Sequence, residues 1–194
     1  MASEGNSRLA AFAPASPDAF KGPVIIDCTS VPRFGLRGAA SYEWFTAHGL
    51  AVPEINRAVV DASGMVMFRL GRNDIAISGN GDGPMSVAAI AAAWSKAEGR
   101  KGYDAFRRDS WAHIVVSGPS ATDLMAELTD VDLRDKSLPA NAVAQTRLLH
   151  VDTIIVRTDV AGVPGYELFF DIASRAYVLE GIQHMARGYR FSSH

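Results

Sequence analysis

The side chains best suited to metal binding or to nucleophilic and acid–base catalysis are those of five histidines and one cysteine: His48, His113, His150, His184, His194 and Cys28. No two of the histidines have the spacing that places two metal ligands on one helix face, so we predict no metal site. No histidine lies beside Cys28 in the sequence, and we interpret this residue as a small packing residue. His113 and His150 lie in strand-like runs, where each is either a buried residue with a hydrogen-bond partner or a catalytic one.

Two segments resemble known motifs only in part. Residues 79–84 form a glycine-rich loop between a predicted strand and a predicted helix, but they lack the Lys-Ser/Thr ending of a P-loop, so we predict a flexible connector. Ser117 lies in Val-Ser-Gly-Pro and not in Gly-x-Ser-x-Gly, which favours helix capping over nucleophilic chemistry. Asp130 and Asp132 are either a carboxylate pair or turn residues after a helix.

Residues 111–132 predict a strand, a tight turn and a helix. The β-branched run Ile114, Val115 and Val116 is typical of a strand, and Leu124 and Leu128 have helical spacing. Gly118 lies between the two elements, where a sharp turn needs positive φ or close backbone approach.

The same order of elements occurs twice along the chain. Residues 33–39 followed by Trp44 align with residues 113–121 followed by Leu124, which places Gly38 opposite Gly118. Each half continues through strands to a second amphipathic helix, with stripes at Val87, Ile90, Ala91 and Trp94 and at Val178, Leu179, Ile182 and Met185. We predict an α+β fold of two ferredoxin-like β-α-β-β-α halves in tandem. The predicted division is an N-terminal arm (1–22), a first half (23–99) and a second half (100–194).

The composition excludes some classes of partner. The formal net charge is −2 and 48% of residues are hydrophobic, so the chain lacks the basic excess that nucleic-acid binding requires. No apolar run approaches the length of a membrane span, and the single cysteine fits a reducing compartment. We therefore expect a cytoplasmic protein that binds neither nucleic acid nor membrane.

The segment around Gly118 resembles the strand-turn-helix of the folate-binding aminomethyltransferase superfamily, which shows Gly-Pro-x-Ala and then a Thr/Asn-Asp-Val/Leu step. Here these are residues 118–121 and 129–131. With its length and repeat, the chain is most similar to the sarcosine oxidase gamma subunit family. The resemblance implies a non-catalytic subunit that packs against a large alpha subunit in a heterotetramer that demethylates a secondary amine. It implies FAD, FMN, NAD and tetrahydrofolate in partner subunits and no cofactor in this chain.

The resemblance also bears on catalysis. In the transferases a carboxylate on the helix after the last strand faces the folate, and the alignment places Val178 at that position. A valine cannot accept or relay a proton, so we expect the isolated chain to be inactive. The alternative is a stand-alone folate-binding aminomethyltransferase or demethylase, and a third reading is a folate-binding regulatory protein.

Arg147 and Arg157 lie in strands that approach the folate opening in the family's fold, and Arg69 lies in the equivalent strand of the first half. A guanidinium group suits a pterin carbonyl, a glutamate tail or a partner's carboxylate, although a solvent-facing strand arginine binds none of these. We interpret Arg147 and Arg157 as candidate folate-binding residues.

Aromatic and arginine side chains cluster where the two halves join, at Tyr103, Phe106, Arg107, Arg108 and Trp111. Interface cores are enriched in these residue types, whereas connecting segments are normally polar. We predict that this segment either lines the seam between the halves or is covered by another subunit.

Overall fold

The computed structural model describes residues 22–99, 101–159 and 162–190. Among these, residues 31–109 form one compact unit, here called unit 1, and residues 22–30 join the residues from Ser110 onward in unit 2. The predicted N-terminal arm lies outside the described residues except for Gly22. No helix in the described ranges is both long and apolar enough to cross a membrane.

Strands and helices alternate along both units. In chain order they are β1 (Val24–Asp27), β2 (Arg33–Arg37), α1 (Ser41–Ala47), β3 (Arg57–Val60), β4 (Val66–Gly71), β5 (Asp74–Ser78), α2 (Val87–Lys96), β6 (Tyr103–Asp104), α3 (Arg107–Ser110), β7 (Trp111–Ser117), α4 (Ala121–Leu128), β8 (Val143–Leu148), β9 (Val151–Arg157), β10 (Gly165–Asp171) and α5 (Arg175–Ala186). The predicted central strand, turn and helix are β7, the turn at Gly118 and α4.

Each unit contains one antiparallel sheet of five described strands. The order is β3-β4-β5-β2-β6 in unit 1 and β8-β9-β10-β7-β1 in unit 2. In unit 1 the meander β3-β4-β5 lies on one side of β2 and the short outer strand β6 lies on the other side. In unit 2 the meander β8-β9-β10 lies on one side of β7 and the short outer strand β1 lies on the other side. The α+β class and the tandem halves are therefore confirmed, with three strands between the two helices of each half.

The outer strands change the predicted domain boundaries. β1 precedes unit 1 in the sequence, yet it pairs with β7 of unit 2, with Val24 opposite Ser117. β6 follows the predicted boundary at residue 99, yet it pairs with β2 of unit 1, with Tyr103 opposite Arg37. The assignment of 23–30 to the first half and of 100–109 to the second is wrong, because a strand joins the edge that offers it hydrogen bonds and not the nearest element in sequence.

Gly38 and Gly118 are equivalent turn residues. Each follows the central strand of its half and has positive φ, +124° and +113° respectively. A Cβ atom on Gly38 would lie 2.5 Å from the Cα atom of Gly102, and one on Gly118 would lie 2.9 Å from the carbonyl oxygen of Gly22. Both contacted glycines lie just before an outer strand, so each turn glycine allows that strand's chain to pass close by.

Two helices cover one face of each sheet with their apolar stripes. In unit 1 the helix residues Phe45, Val87, Ile90 and Trp94 are buried in a core with the strands. In unit 2 the corresponding residues are Leu124, Met125, Leu128, Val178 and Ile182. Both predicted second-helix stripes are confirmed as packing surfaces, with Ala91, Leu179 and Met185 only partly buried.

Candidate functional site

A cleft of about 640 Å³ opens in unit 2 where β1 ends and β10 joins α5. The connection is a single 3-10 turn, Ile172–Ser174, in which the Asp171 carboxylate accepts the N–H of Ala173 at 2.8 Å. The lining residues are Asp27, Thr29, Ser30, Ile172, Ala173, Arg175 and Ala176. The cleft thus carries one carboxylate, one guanidinium and two hydroxyl groups.

The two charged groups of this cleft form an ion pair with each other. Arg175 donates to the Asp27 carboxylate, and the Thr29 N–H donates to Oδ1 of Asp27 at 3.0 Å. Burial by itself would raise the pKa of Asp27, but the hydrogen bonds from Arg175 and Thr29 outweigh it and lower the pKa below its usual value. Asp27 is therefore ionised at neutral pH and acts as an anchor for Arg175, not as a general acid.

A histidine and a glutamate form a second pair inside unit 2. Nε2 of His113 lies 2.9 Å from Oε2 of Glu167, and both side chains are almost fully buried. The His113 ring also stacks on Phe169, with centroids 4.4 Å apart. Of the two interpretations of His113 from the sequence, the structure therefore favours the buried residue with a neighbouring partner, Glu167. The signal for its partner was Glu167 itself, the one carboxylate of β10 that lies inside the strand and not at its end.

Unit 1 contains a cluster of charges around Asp74. This carboxylate accepts from Arg37 at 2.7 Å and from Arg107 at 2.8 Å. Burial lowers the pKa of Arg107, and the attraction of Asp74 opposes that effect. Asp74 begins β5 directly after the hairpin turn, and it holds the segment after β6 onto this end of the β4–β5 hairpin.

The predicted interface residues divide between exposed and buried positions. Tyr103 and Phe106 are 58% and 66% exposed, and Arg108 is exposed. Arg107 is 6% exposed in unit 1, and Trp111 is 8% exposed in unit 2, where its ring packs 5.7 Å from that of Phe169. Arg107 and Trp111 are therefore internal packing residues, and the exposed part of the predicted interface is Tyr103, Phe106 and Arg108.

The predicted folate-binding arginines lie at opposite ends of the β8–β9 hairpin. Arg147, near the turn, is exposed and pairs with Asp152 at 3.1 Å. Arg157 is 4% exposed, and it donates to Asp159 at 2.9 Å and to the carbonyl oxygen of Leu138 at 2.8 Å. These positions give no support to a common folate site, and a folate role for either residue stays a prediction.

Val178 lies in the core between α5 and its sheet and is fully buried. A catalytic carboxylate must face its substrate, so this position is not one from which a side chain could act on a ligand. The comparison of Val178 with the family's carboxylate therefore does not by itself decide activity. Nowhere in the described ranges do three or more His, Cys, Asp or Glu residues group as metal ligands.

The remaining predicted residues have structural roles. The Ser117 hydroxyl donates to the carbonyl oxygen of Pro164 at 3.0 Å, so its predicted capping role is wrong. Asp132 accepts hydrogen bonds from Arg134 and Ser137, which confirms the turn interpretation. His150 is exposed in the β8–β9 turn with φ of 67°, not within a strand.

Comparison with known proteins gives a family match and two curated relatives that match over short stretches. A family model described as GCVT N-terminal domain matches residues 62–192. A probable aminomethyltransferase from Haloarcula marismortui is 37% identical over 78 residues, which are 39% of this chain and 21% of that protein. An aminomethyltransferase from Deinococcus deserti is 36% identical over 63 residues, which are 32% of this chain and 17% of that protein. The matched stretches thus span about a fifth of these relatives.

Two solved structures share the fold. A chain of the heterotetrameric sarcosine oxidase from Corynebacterium sp. U-96, in complex with pyrrole 2-carboxylate, has a TM-score of 0.73 at 14% identity. That match covers 90% of this chain and 88% of the other. The glycine cleavage system aminomethyltransferase T from Bartonella henselae has a TM-score of 0.61 at 16% identity, over 83% of this chain and 45% of the other.

Proposed function

Because the chain belongs to the GCVT N-terminal domain family, we propose that it is a non-catalytic, gamma-type subunit of a cytoplasmic sarcosine oxidase-like heterotetramer. Its role is to pack against the large alpha subunit of a complex that oxidatively demethylates a secondary amine. In this proposal FAD, FMN, NAD and tetrahydrofolate belong to partner subunits, and this chain holds no cofactor.

The observation that carries the proposal is the two-way coverage of the structural match. This chain and the matched chain of the heterotetrameric oxidase cover 90% and 88% of each other, whereas the match to aminomethyltransferase T covers 45% of that protein. The fold of this chain is thus similar in extent to that of the matched oxidase chain and corresponds to about half of the transferase.

The internal chemistry of the units agrees with a scaffold role. Three carboxylates are paired with basic side chains of the same chain: Asp27 with Arg175, Asp74 with Arg37 and Arg107, and Glu167 with His113. Such groups stabilise the fold, whereas a general acid or base must reach a substrate.

The test is reconstitution of the complex with this chain and, in parallel, without it. We would express the affinity-tagged chain with the other three subunits of a sarcosine oxidase-like complex from the same organism, and in parallel express those three alone. We expect the tagged chain to retain the flavin-containing subunits through gel filtration and the complex to consume oxygen with sarcosine. We expect the isolated chain to show no turnover of sarcosine with tetrahydrofolate.

A stand-alone folate-binding aminomethyltransferase is the second candidate, and the 37% identity to a probable aminomethyltransferase favours it. Turnover of sarcosine and tetrahydrofolate by the isolated monomer, with no association with the flavoprotein subunits, would establish that alternative.

A further inference from the structure

Asn80 and Gly81 form the one Asn-Gly pair of the sequence. They lie in the loop between β5 and a 3-10 turn, Gly83–Met85, that precedes α2. Asn80 is exposed. Asparagine is one of the thermolabile residue types, because its amide carbon can be attacked by the backbone nitrogen of the next residue. The reacting groups of this pair are therefore the Asn80 Cγ atom and the Gly81 nitrogen.

Neither reacting group is held by another part of the described chain. Within those residues, the side-chain amide of Asn80 and the backbone N–H of Gly81 have no hydrogen-bond partner. The N–H of Gly79 donates to the carbonyl oxygen of Pro32 at 3.0 Å. The Asn80 carbonyl oxygen accepts the N–H of Val87 at 3.1 Å, and this bond must break when the Asn80 peptide group turns. The Gly81 nitrogen, however, can lose its proton to hydroxide without giving up a hydrogen bond of its own.

The fold requires a glycine directly after Asn80. Gly81 has φ of +65°, and a Cβ atom there would lie 2.5 Å from the carbonyl oxygen of Met85. A residue with a side chain would be strained on both counts. The missing side chain also leaves the Gly81 nitrogen open to the amide carbon of Asn80. The packing that selects glycine therefore keeps here the neighbour that hinders ring closure least.

Asn56 and Asn141 provide a comparison within the same chain. Both have positive φ, yet each is followed by a residue with a side chain, Arg57 and Ala142 respectively. The N–H groups of Arg57 and Ala142 donate to carbonyl oxygens three residues earlier, at 3.1 and 2.9 Å. Attack by either nitrogen would break a hydrogen bond and bring a Cβ atom against the asparagine. The structure therefore distinguishes Asn80 from both.

We propose that Asn80 is a site of spontaneous covalent modification, at which the side chain deamidates through a cyclic imide formed with Gly81. The Gly81 nitrogen gives up its proton and bonds to Cγ of Asn80, the Cγ–Nδ2 bond breaks, and ammonia leaves. Water then opens the imide at one of its two carbonyl carbons. Opening at the side-chain carbonyl gives aspartate, and opening at the main-chain carbonyl gives isoaspartate, in which the backbone runs through the former side chain. Either product adds a carboxylate close to Asp82 in a chain of formal net charge −2.

The test is incubation of the full-length, folded chain at pH 6 and at pH 8, followed by peptide mapping with mass spectrometry. We expect the peptide that contains Asn80 to gain the mass of an amide-to-acid exchange, faster at pH 8 because hydroxide generates the attacking nitrogen. The product should separate into aspartate and isoaspartate forms, and a protein isoaspartyl methyltransferase should label the second form. The peptides that contain Asn56 and Asn141 should stay unchanged.

Asn80→Gln is the matched control. It keeps an exposed amide at a position where the side chain has no partner among the described residues, so we expect the fold to be unaffected. The longer side chain would have to close a larger ring, and we expect isoaspartate to be lost from this peptide. As a second control, the wild-type chain is incubated unfolded in urea, and Asn80 should react in both states.

Several results would overturn the proposal. If Asn80 stayed intact in the folded chain, with or without reaction in urea, the loop would protect it. If aspartate formed without isoaspartate, water would attack the amide directly and no imide would form. Equal conversion of Asn56 or Asn141 in the folded chain would remove the role of the free Gly81 nitrogen. Persistence of the isoaspartate label in Asn80→Gln would place the modification at another residue.

Discussion

Arg33 of unit 1 and His113 of unit 2 occupy the same position in the two repeats, five residues before the turn glycines Gly38 and Gly118. Both are buried charged or titratable residues on a central strand. Arg33 donates to backbone carbonyl oxygens, including that of Val31 at 2.8 Å, whereas His113 faces Glu167 at 2.9 Å. The repeat therefore keeps a polar residue at this buried position but places a different partner beside it in each unit.

The register shows why the partners differ. Gly35 lies opposite Ala76 in unit 1, and the equivalent pair in unit 2 is Val115 and Glu167. The small pair in unit 1 leaves room for Arg107, which passes against Gly35. In unit 2 the larger pair brings the carboxylate that His113 needs.

Arg69 and Arg157, unlike Arg33 and His113, have the same kinds of hydrogen-bond partner in the two units. The N–H of Asn56 donates to the Arg69 carbonyl oxygen and that of Asn141 to the Arg157 carbonyl oxygen, both at 2.8 Å. Both asparagines have positive φ, and each arginine also donates to the carbonyl oxygen of a residue just before its asparagine's loop. The two arginines thus make equivalent hydrogen bonds to the loop before each meander, although Arg157 is buried and Arg69 is only partly buried.

The two units differ most in the segment that follows each outer strand. β1 leads to Asp27 and the cleft beside α5, whereas β6 leads to Phe106 and the exposed aromatic segment. The two units share the sheet and its two helices. Their distinctive surface features lie in the segments where the chain leaves that sheet. Function in a duplicated scaffold is expected at such exits, since they are not constrained by the core.

Replacing Glu167 tests the polar difference between the units and has the largest expected effect. Glu167→Leu removes the carboxylate from His113 in a buried setting, and we expect the free energy of unfolding to fall by about 3–5 kcal/mol. Urea unfolding at neutral pH measures the change. The double variant His113→Leu/Glu167→Leu should recover much of it, and exposed Glu180→Gln is the control. A loss below about 1 kcal/mol in Glu167→Leu would mean that this pair does not stabilise unit 2.

Alanine at the two turn glycines tests how equivalent the units are. Gly38→Ala and Gly118→Ala each add a Cβ atom against backbone and strain a positive φ, so we expect a loss of about 1–3 kcal/mol in each. Gly49 has φ of 77° with no atom within 4 Å of an added Cβ, so Gly49→Ala isolates the conformational cost. Thermal or urea unfolding gives the three values. If either turn variant equals Gly49→Ala, the close passage of the outer strand does not constrain that glycine.

Acid titration of unit 2 has the smallest expected effect. The pKa of Asp27 is lowered in the folded state, so its contribution to stability is present above its unfolded pKa and is lost as pH falls below about 4. Because the pair is partly exposed, we expect a contribution below about 1 kcal/mol. Asp27→Asn should be less stable than wild type at pH 7 and should approach it near pH 2. If the difference in free energy of unfolding between wild type and Asp27→Asn were the same at pH 7 and near pH 2, the effect of the substitution would not come from the ionisation of Asp27.

The helices and strands and their repetition could be predicted from the amino-acid sequence alone. The β-branched run in residues 114–116 and the helical spacing of Val87, Ile90 and Trp94 depend on neighbours within a few residues, and such local signals predict strands and helices directly. The two turn glycines were visible for the same reason, because a glycine between a strand and a helix marks a conformation that other residues avoid.

The sheet that each outer strand joins and the partners of the charged side chains depend on the folded chain and could not be predicted from the sequence. β1 pairs with β7 across more than 80 residues, and Glu167 reaches His113 from another strand. Hydrogen bonding between strands has no sequence-local signature, since any extended segment can satisfy any free edge. The exposure of Phe106 and the burial of Arg107, one residue apart, were likewise set by the position of Asp74 in space.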